Sequence, residues 1–414
     1  MTAAPAPAPA PPEGTPPLVS RAVERMPRGL RAVAWGGIVL GLLGAWIALP
    51  PVAARSWVWS LLLCLAAVAV GAGVAIRGDR RFGAFAAAAG LLGFVVAVLA
   101  TQSGLGKLEA VVVWSALLAA MLRYATPLVF ASIGGMFSER SGVVNIGLEG
   151  MMLMGAFFAI LVADKTDSWP LGLGAGVLSG GAAALVHAYF SIHLRSDQIV
   201  TGTAVNFLAL GVTGYLYIDI YGQQGTPTDI PSIPSVHLGF IEGIPFFGDI
   251  FGNMNLMIWL ALATIVVAWV VMFKTPIGLR IRSVGEHPRA ADTVGINVYA
   301  IRYGAVVVSG MLAAAGGAYL SIGFVNSFSE NMTAGRGFIA LAALIFGNWR
   351  PFGAAAACML FGFSSALAQR LPEYSQSASV LFQALPYVLT LIAVAGVIGR
   401  SIPPAAVGRP YRKQ

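Results

Sequence analysis

The chain has 414 residues, 57% of them hydrophobic and only 10% charged, against roughly 25% charged in an ordinary soluble domain. So few charges cannot clothe the water-facing surface of a 43.0 kDa body, and the mean hydropathy of +0.80 agrees. A soluble enzyme is excluded, and an all-α integral membrane protein is expected.

The net charge of +8 comes from basic residues gathered in short segments between apolar runs. That pattern orients membrane spans and does not point to nucleic acid. The 50 glycines mostly lie inside apolar runs, where small residues let helices approach closely. Cys64 and Cys358 each sit in an apolar segment, and His187, His193, His237 and His287 are scattered. Neither a disulfide framework nor a metal site is expected.

Residues 1–31 open with the Pro/Ala-rich MTAAPAPAPAPPEGTPPLVS and read as a disordered cytoplasmic tail. Arg21, Arg25, Arg28 and Arg31 precede the first apolar stretch, Ala32 to Leu49. That stretch reads as a retained span, with cleavage near Ala53-Ala54 as the alternative. A span needs about 20 mostly apolar residues. Candidates fall at 32–50, 57–76, 82–100, 111–136, 145–163, 171–193, 198–217, 254–273, 302–323, 336–347, 352–369 and 384–399, about 10–12 helices in all. The stretch 336–347 reaches only about 18 Å at 1.5 Å per residue, so it is broken, re-entrant or extended. Span 111–136 contains Arg123-Tyr124 and Pro127, so its first half is expected to lie along the interface before the chain turns inward.

Alternating from an inside N-terminus places Arg77, Arg80 and Arg81 on the inner side, with Arg195, the segment Lys274–Arg302 and Arg400–Lys413. The long stretch Tyr221–Asn253, which has no Lys or Arg, falls outside. Both termini are therefore cytoplasmic.

Three segments carry the function. In the first, Ser138 to Leu153, the charges Glu139, Arg140 and Glu149 interrupt an apolar region. Ionisable groups at membrane depth are paired or line a polar route. Asn145 and Glu149 share a face if both are helical. One reading is a structural salt bridge, Arg140 with Glu139 or Glu149; the other is a discontinuous helix lining the transport route. The second segment holds Gly285, Glu286, His287, Pro288, Arg289, Ala290, Ala291 and Asp292. Pro288 suits a first helical position, Glu286 lies near that helix's positive end, and Gly295 closes it after about two turns. A simple connecting loop does not need the length of Lys274–Arg302. The third, Glu330 to Gly353, is punctuated by Gly335, Gly337, Gly347 and Gly353. The pairs Ser138-Glu139 and Ser329-Glu330 follow apolar spans on opposite sides, as an inverted-topology repeat would place them.

ERSGVVNIGLEGMML (Glu139–Leu153), VGEHPRAADTVGI (Val284–Ile296) and GRGFIALAALIFGNWRPFG (Gly335–Gly353) occur in that order. With them the chain resembles the permease subunits of ABC importers for ribose, branched-chain amino acids and nucleosides. It is most similar to the nucleoside or simple-sugar branch. The resemblance covers roughly residues 105–400 and implies an inverted-repeat permease core. Residues 32–104 look like additional N-terminal helices, and 401–414 a cytoplasmic tail.

The resemblance also implies that Gly285–Asp292 is the coupling helix seating in an ATPase subunit. Asn145, Gly147 and Glu149 would stand at a helix break beside the pathway, with Arg336 and Gly337 as counterparts in the second half. The family commonly has Asn where this chain has His287, and His is a poor N-cap. The implied partners are an ABC ATPase carrying ATP and Mg, an extracytoplasmic substrate-binding lipoprotein and a second permease copy or paralogue in the plasma membrane. No cofactor is expected on this chain.

None of the four lysines (Lys107, Lys165, Lys274, Lys413) completes a phosphate-binding loop. Leu178-Ser179-Gly180-Gly181 sits inside the apolar run 171–193 and reads as helix packing. Asn145, Thr203, Asn206 and Asn326 suit a neutral polyhydroxylated solute such as a nucleoside, although interhelical hydrogen bonds use the same residues. An ion-coupled secondary transporter would need carboxylates deep in spans, and only Glu149 qualifies. A membrane enzyme would need a clustered nucleophile or metal set.

Overall fold

The computed structural model describes residues 28–48, 57–76, 114–242, 247–370 and 402–413, with isolated positions between 83 and 94. Almost everything described is helical. Seven helices among these residues are long and apolar enough to cross a membrane. The spans expected at 82–100 and 384–399, and the tail before Arg28, lie largely or wholly outside the described residues.

Two compact units divide the chain, Met1–Ala110 and Val111–Gln414. In the first, helix α1 (Arg28–Ala48) packs on α2 (Trp57–Ile76), where the Ser60 hydroxyl donates to the Gly44 carbonyl. The second unit holds α3 (Trp114–Arg140), α4 (Leu148–Thr166), α5 (Trp169–Ala188), α6 (Gln198–Tyr221) and α7 (Leu256–Lys274). It continues through the short helices α8 (Pro276–Glu286) and α9 (Pro288–Thr293) into α10 (Val298–Ala318), α11 (Arg336–Phe346) and α12 (Pro351–Arg370). Wide π turns extend α5 and α10, at Tyr189–His193 and Tyr319–Val325.

Helices α3 and α10 form the centre. Their apolar stretches are 67% and 78% buried, against 28% for α6 and 33% for α7, which face outward. Small residues set the closest approach: at Gly317 of α10 an added Cβ would overlap the Met152 carbonyl of α4. Replacing Gly317 by Ala is expected to force α10 from α4 and lower stability by about 1–3 kcal/mol. The detergent-solubilised protein should then unfold at a lower temperature. An unchanged midpoint would show that this contact tolerates a methyl group.

One expectation from the sequence changes here. Helix α3 runs unbroken through Pro127, so its first half does not turn away. Membrane helices tolerate Pro where neighbours hold the backbone, and α10 presses Gly316 against the Pro127 carbonyl. The stretch 221–253 carries a short hairpin. Ser235–His237 pairs antiparallel with Asn253–Asn255, and Asn255 both accepts from Met257 N, starting α7, and donates to the carbonyls of Ile233 and Gly323. Residues 402–413 fold back onto α8, α9 and α10, as detailed below.

Candidate functional site

The site begins where α3 stops at Arg140 and α4 starts at Leu148. Residues 141–147 between them are mostly buried but not helical, so their backbone groups need partners from elsewhere. Gly142 takes a left-handed φ of 95°. Ser138 Oγ donates to the Val143 carbonyl at 2.7 Å. Val144 is bracketed: its N–H donates to Gln198 Oε1 at 2.7 Å, and its carbonyl meets His187 Nε2 at 2.9 Å. Asn206 of α6 spans the start of α4, donating to the Ile146 carbonyl and accepting from Gly150 N at 2.8 Å.

Asn145 is fully buried. Its amide donates to Ser309 Oγ of α10 at 3.0 Å and approaches Met151 Sδ, while its Oδ1 has no partner among the described residues. Asn145 therefore precedes α4 and does not share a helical face with Glu149, which corrects the sequence expectation. The helix break itself is present.

Glu149 lies in the first turn of α4 and is 7% exposed. Its carboxylate crosses to another helix start, accepting from Gly335 N at 2.8 Å and from Gly337 N. The first N–H groups of α11 have no intrahelical acceptor, and that end carries partial positive charge, so Glu149 caps α11 from α4. Gly337 permits it: a Cβ there would stand 2.5 Å from the Glu149 Cα. Helix α11 has 11 residues and ends at Gly347, where a turn leads directly into α12. It is a half-length helix, as its short apolar run implied.

Gly147 is the N-cap residue of α4. The remaining pathway residues separate from this cluster. Arg336 turns its guanidinium onto the Met332 and Thr333 carbonyls. Asn326 is exposed at the end of the π turn with φ of 54°. Thr203 Oγ1 donates within its own helix, to Ile199.

Glu139 and Arg140 do not pair with each other, which corrects the expected salt bridge. Consecutive helical side chains point in different directions, and both find Trp349 in the turn between α11 and α12. The Trp349 indole N–H donates to Glu139 Oε2. Arg140 Nε and Nη2 donate to the Trp349 carbonyl at 3.0 and 2.9 Å. Nor do the two Ser-Glu pairs occupy matching places: Ser138 and Glu139 are buried, Ser329 and Glu330 exposed.

The long basic segment folds as two helices. Thr275 caps α8, with Pro276 at its first position, and α8 buries Gly278, Ile281, Val284 and Gly285. His287 then caps α9 without a side-chain hydrogen bond, as its chemistry implied. Pro288 opens α9 and Gly295, at φ of 84°, closes it. Glu286 ends α8, and its Oε2 accepts from Ala405 N at 3.1 Å rather than from the start of α9. Glu286, His287, Arg289 and Ala290 are exposed, Ala291 is buried and Asp292 half-buried.

Gly285 joins this pair to the bundle, because a Cβ there would overlap the Arg140 carbonyl. Its own carbonyl accepts from Ala406 N at 2.9 Å. Arg302, read from sequence as the end of a basic loop, is instead 1% exposed inside α10. Its Nε donates to the Ser141 carbonyl at 3.2 Å and its Nη1 to the Arg409 carbonyl at 3.1 Å. Gly408 N reaches the Gly142 carbonyl. Tyr411 packs with Val284, Ala291 and Val298, and desolvation together with the Asp292 carboxylate that accepts its hydroxyl pushes its pKa up to about 12. The terminal segment thus ties the exposed helices to the linker 141–147.

His187, Gln198, Ser309, Trp349 and Arg302 were not singled out by sequence. Only Arg302 and Trp349 left a trace: a charge at the head of an apolar run, and a tryptophan inside the third motif.

With seven helices of membrane-spanning length among the described residues, a half-length helix capped across the bundle and a helix break define a polytopic membrane protein. The chain belongs to the family described as branched-chain amino acid transport system, permease component, whose profile matches residues 117–394. It is 42% identical over 317 residues to the guanosine ABC transporter permease NupQ of Bacillus subtilis, covering 74% of this chain and 99% of that one. The nucleoside ABC transporter permease NupC of Lactococcus lactis is 42% identical over 308 residues, 72% of this chain and 96% of its own length. The glucose ABC transporter permease TsgB13 of Haloferax volcanii is 27% identical over 239 residues, 54% and 62% of the two chains. No solved structure matches the chain.

Proposed function

We propose that this chain is the membrane-spanning, non-catalytic subunit of a binding-protein-dependent ABC importer that moves nucleosides across the plasma membrane. ATP and Mg act on a separate ATPase chain, an extracytoplasmic lipoprotein delivers the solute, and a second permease copy or paralogue completes the pathway. Both termini face the cytoplasm. The observation that carries this reading is the 42% identity over 99% of the guanosine permease NupQ.

The geometry supplies a route for coupling. Closure of the ATPase displaces α8 and α9. Gly285 passes that displacement to the end of α3 through the Arg140 carbonyl, and Arg302 passes it to Ser141. Both lead to the linker that carries Asn145 and, one turn on, Glu149, which holds the start of α11.

Cells producing the chain with its ATPase and lipoprotein are expected to accumulate labelled guanosine, and cells lacking every candidate ATPase are not. Uptake that persists without any ATPase overturns the importer reading. The likeness to a glucose permease supports a sugar as the second reading, so unlabelled glucose, but not adenosine or uridine, would compete under that alternative. Changing Glu286 and Arg289 to Ala should leave membrane insertion intact and weaken ATPase retention about tenfold, or about 1.4 kcal/mol. Normal co-purification and uptake would detach α9 from this role.

A further inference from the structure

The segment Ile402–Lys413 does more than return to the bundle. It forms one wall of an open groove of about 740 Å³ whose other wall is the start of α9. Arg289 comes from α9, Arg409 and Arg412 from the terminal segment, and Arg195 from the turn before α6. All four are exposed. Among the described residues none of these guanidiniums forms an ion pair, the one pair found being Lys165 with Asp164. Among the described residues lining the groove Glu286 is the one carboxylate, and the backbone of Ala405 already holds one of its oxygens; Asp292, outside that lining, accepts the Tyr411 hydroxyl. Among the described lining residues four exposed positive charges thus face one partly neutralised negative charge.

The wall is anchored, not draped. Ala406 N bonds the Gly285 carbonyl, Gly408 N the Gly142 carbonyl, and Arg302 holds the Arg409 carbonyl. Tyr411 is buried against α8, α9 and α10. The arginines therefore project from a scaffold that pre-orients them, which lowers the ordering cost of binding.

We infer that Ile402–Lys413 is the second half of the ATPase-docking surface and that Arg409 and Arg412, with Arg195 and Arg289, receive an acidic segment of the ATPase beside α9. This inference rests on the importer reading above. The occupant is a protein that must already sit on α9, the charge asks for carboxylates, and the groove also offers apolar lining from Pro288, Ala290 and Pro410, which suits a peptide segment. A partner held here pulls directly on the linker 141–147 through Arg302 and Gly408.

The test is retention of the ATPase by the tagged full-length permease in detergent across a salt series, since opposed charges in water are screened within about 10 Å at 0.1 M salt. Wild type is expected to retain the ATPase and to lose it progressively as salt rises. The double reversal Arg409→Glu with Arg412→Glu should weaken retention at least tenfold at low salt and flatten the salt dependence. Arg409→Lys with Arg412→Lys should keep most of both. An unchanged unfolding midpoint separates lost docking from lost folding, and if the reversal lowers it, the lysine pair and the salt slope of wild type decide.

A reversal that retains the ATPase like wild type overturns the inference and leaves the importer reading standing. A wild-type protein that never retains the ATPase removes both. Loss confined to nanodiscs containing phosphatidylglycerol, absent from neutral ones, assigns the groove to lipid headgroups and also overturns it.

Discussion

Glu149→Ala is expected to abolish uptake and to destabilise the bundle strongly. The carboxylate is buried and accepts from Gly335 N and Gly337 N at the start of α11. Its removal leaves two donors without an acceptor, at roughly 1–3 kcal/mol each. Helix α11 has 11 residues and depends on packing at both ends, so this loss falls on the element least able to hold itself in place. The measurement is a thermal unfolding curve in detergent beside uptake in cells. Glu149→Gln, which keeps one carbonyl oxygen, should recover part of the stability and separate fold from transport. If Glu149→Ala unfolds at the wild-type temperature, the cross-helix cap contributes nothing and the account of α11 fails.

Gly285→Val is expected to act differently, by separating ATP hydrolysis from uptake. Any side chain at this position meets the Arg140 carbonyl, so α8 must move off the end of α3 at a cost of about 1–3 kcal/mol. Helix α9 remains exposed and available to a partner. The expected result is ATPase activity that continues in proteoliposomes while guanosine accumulation falls to background. Uptake and hydrolysis that remain in the wild-type ratio would remove the Gly285 contact from the coupling route.

Both residues lie in motifs visible in the primary structure, yet their roles were legible to different depths. The family resemblance placed Gly285 in a coupling segment; the residues themselves showed that polar residues, Pro288 and Gly295 interrupt an apolar chain with a short helix, a local pattern that survives without any tertiary knowledge. What Gly285 touches was not visible, since Arg140 lies far away along the chain. Glu149 was recognised as an expensive charge needing a partner. The partner turned out to be backbone N–H groups of another segment, which have no side-chain signature to search for. Glu139 and Arg140 invited a pairing by adjacency, and adjacency on a helix points side chains apart.

Asn206 shows the same limit from the other direction. A polar residue on a largely apolar helix read equally as a solute contact or an interhelical bond, and its two bonds to Ile146 and Gly150 commit it to holding the start of α4. The segment after residue 400 reads from sequence only as a cytoplasmic tail, because short, Pro-rich, polar sequence shows no partner until a surface exists to receive it. Its anchors are carbonyls of Gly142 and Gly285 and the buried guanidinium of Arg302.

The amino-acid sequence by itself determined that the protein lives in a bilayer, where most described helices begin and end, and that the long basic segment holds a short helix starting at Pro288. Those properties follow from local quantities: hydropathy over a window, a proline at a helix start, a glycine at its end. Tertiary structure alone decided which buried polar group answers which. In a low-dielectric interior every donor needs an acceptor, but the chain is free to bring that acceptor from any distance, and only the packed helices reveal the choice.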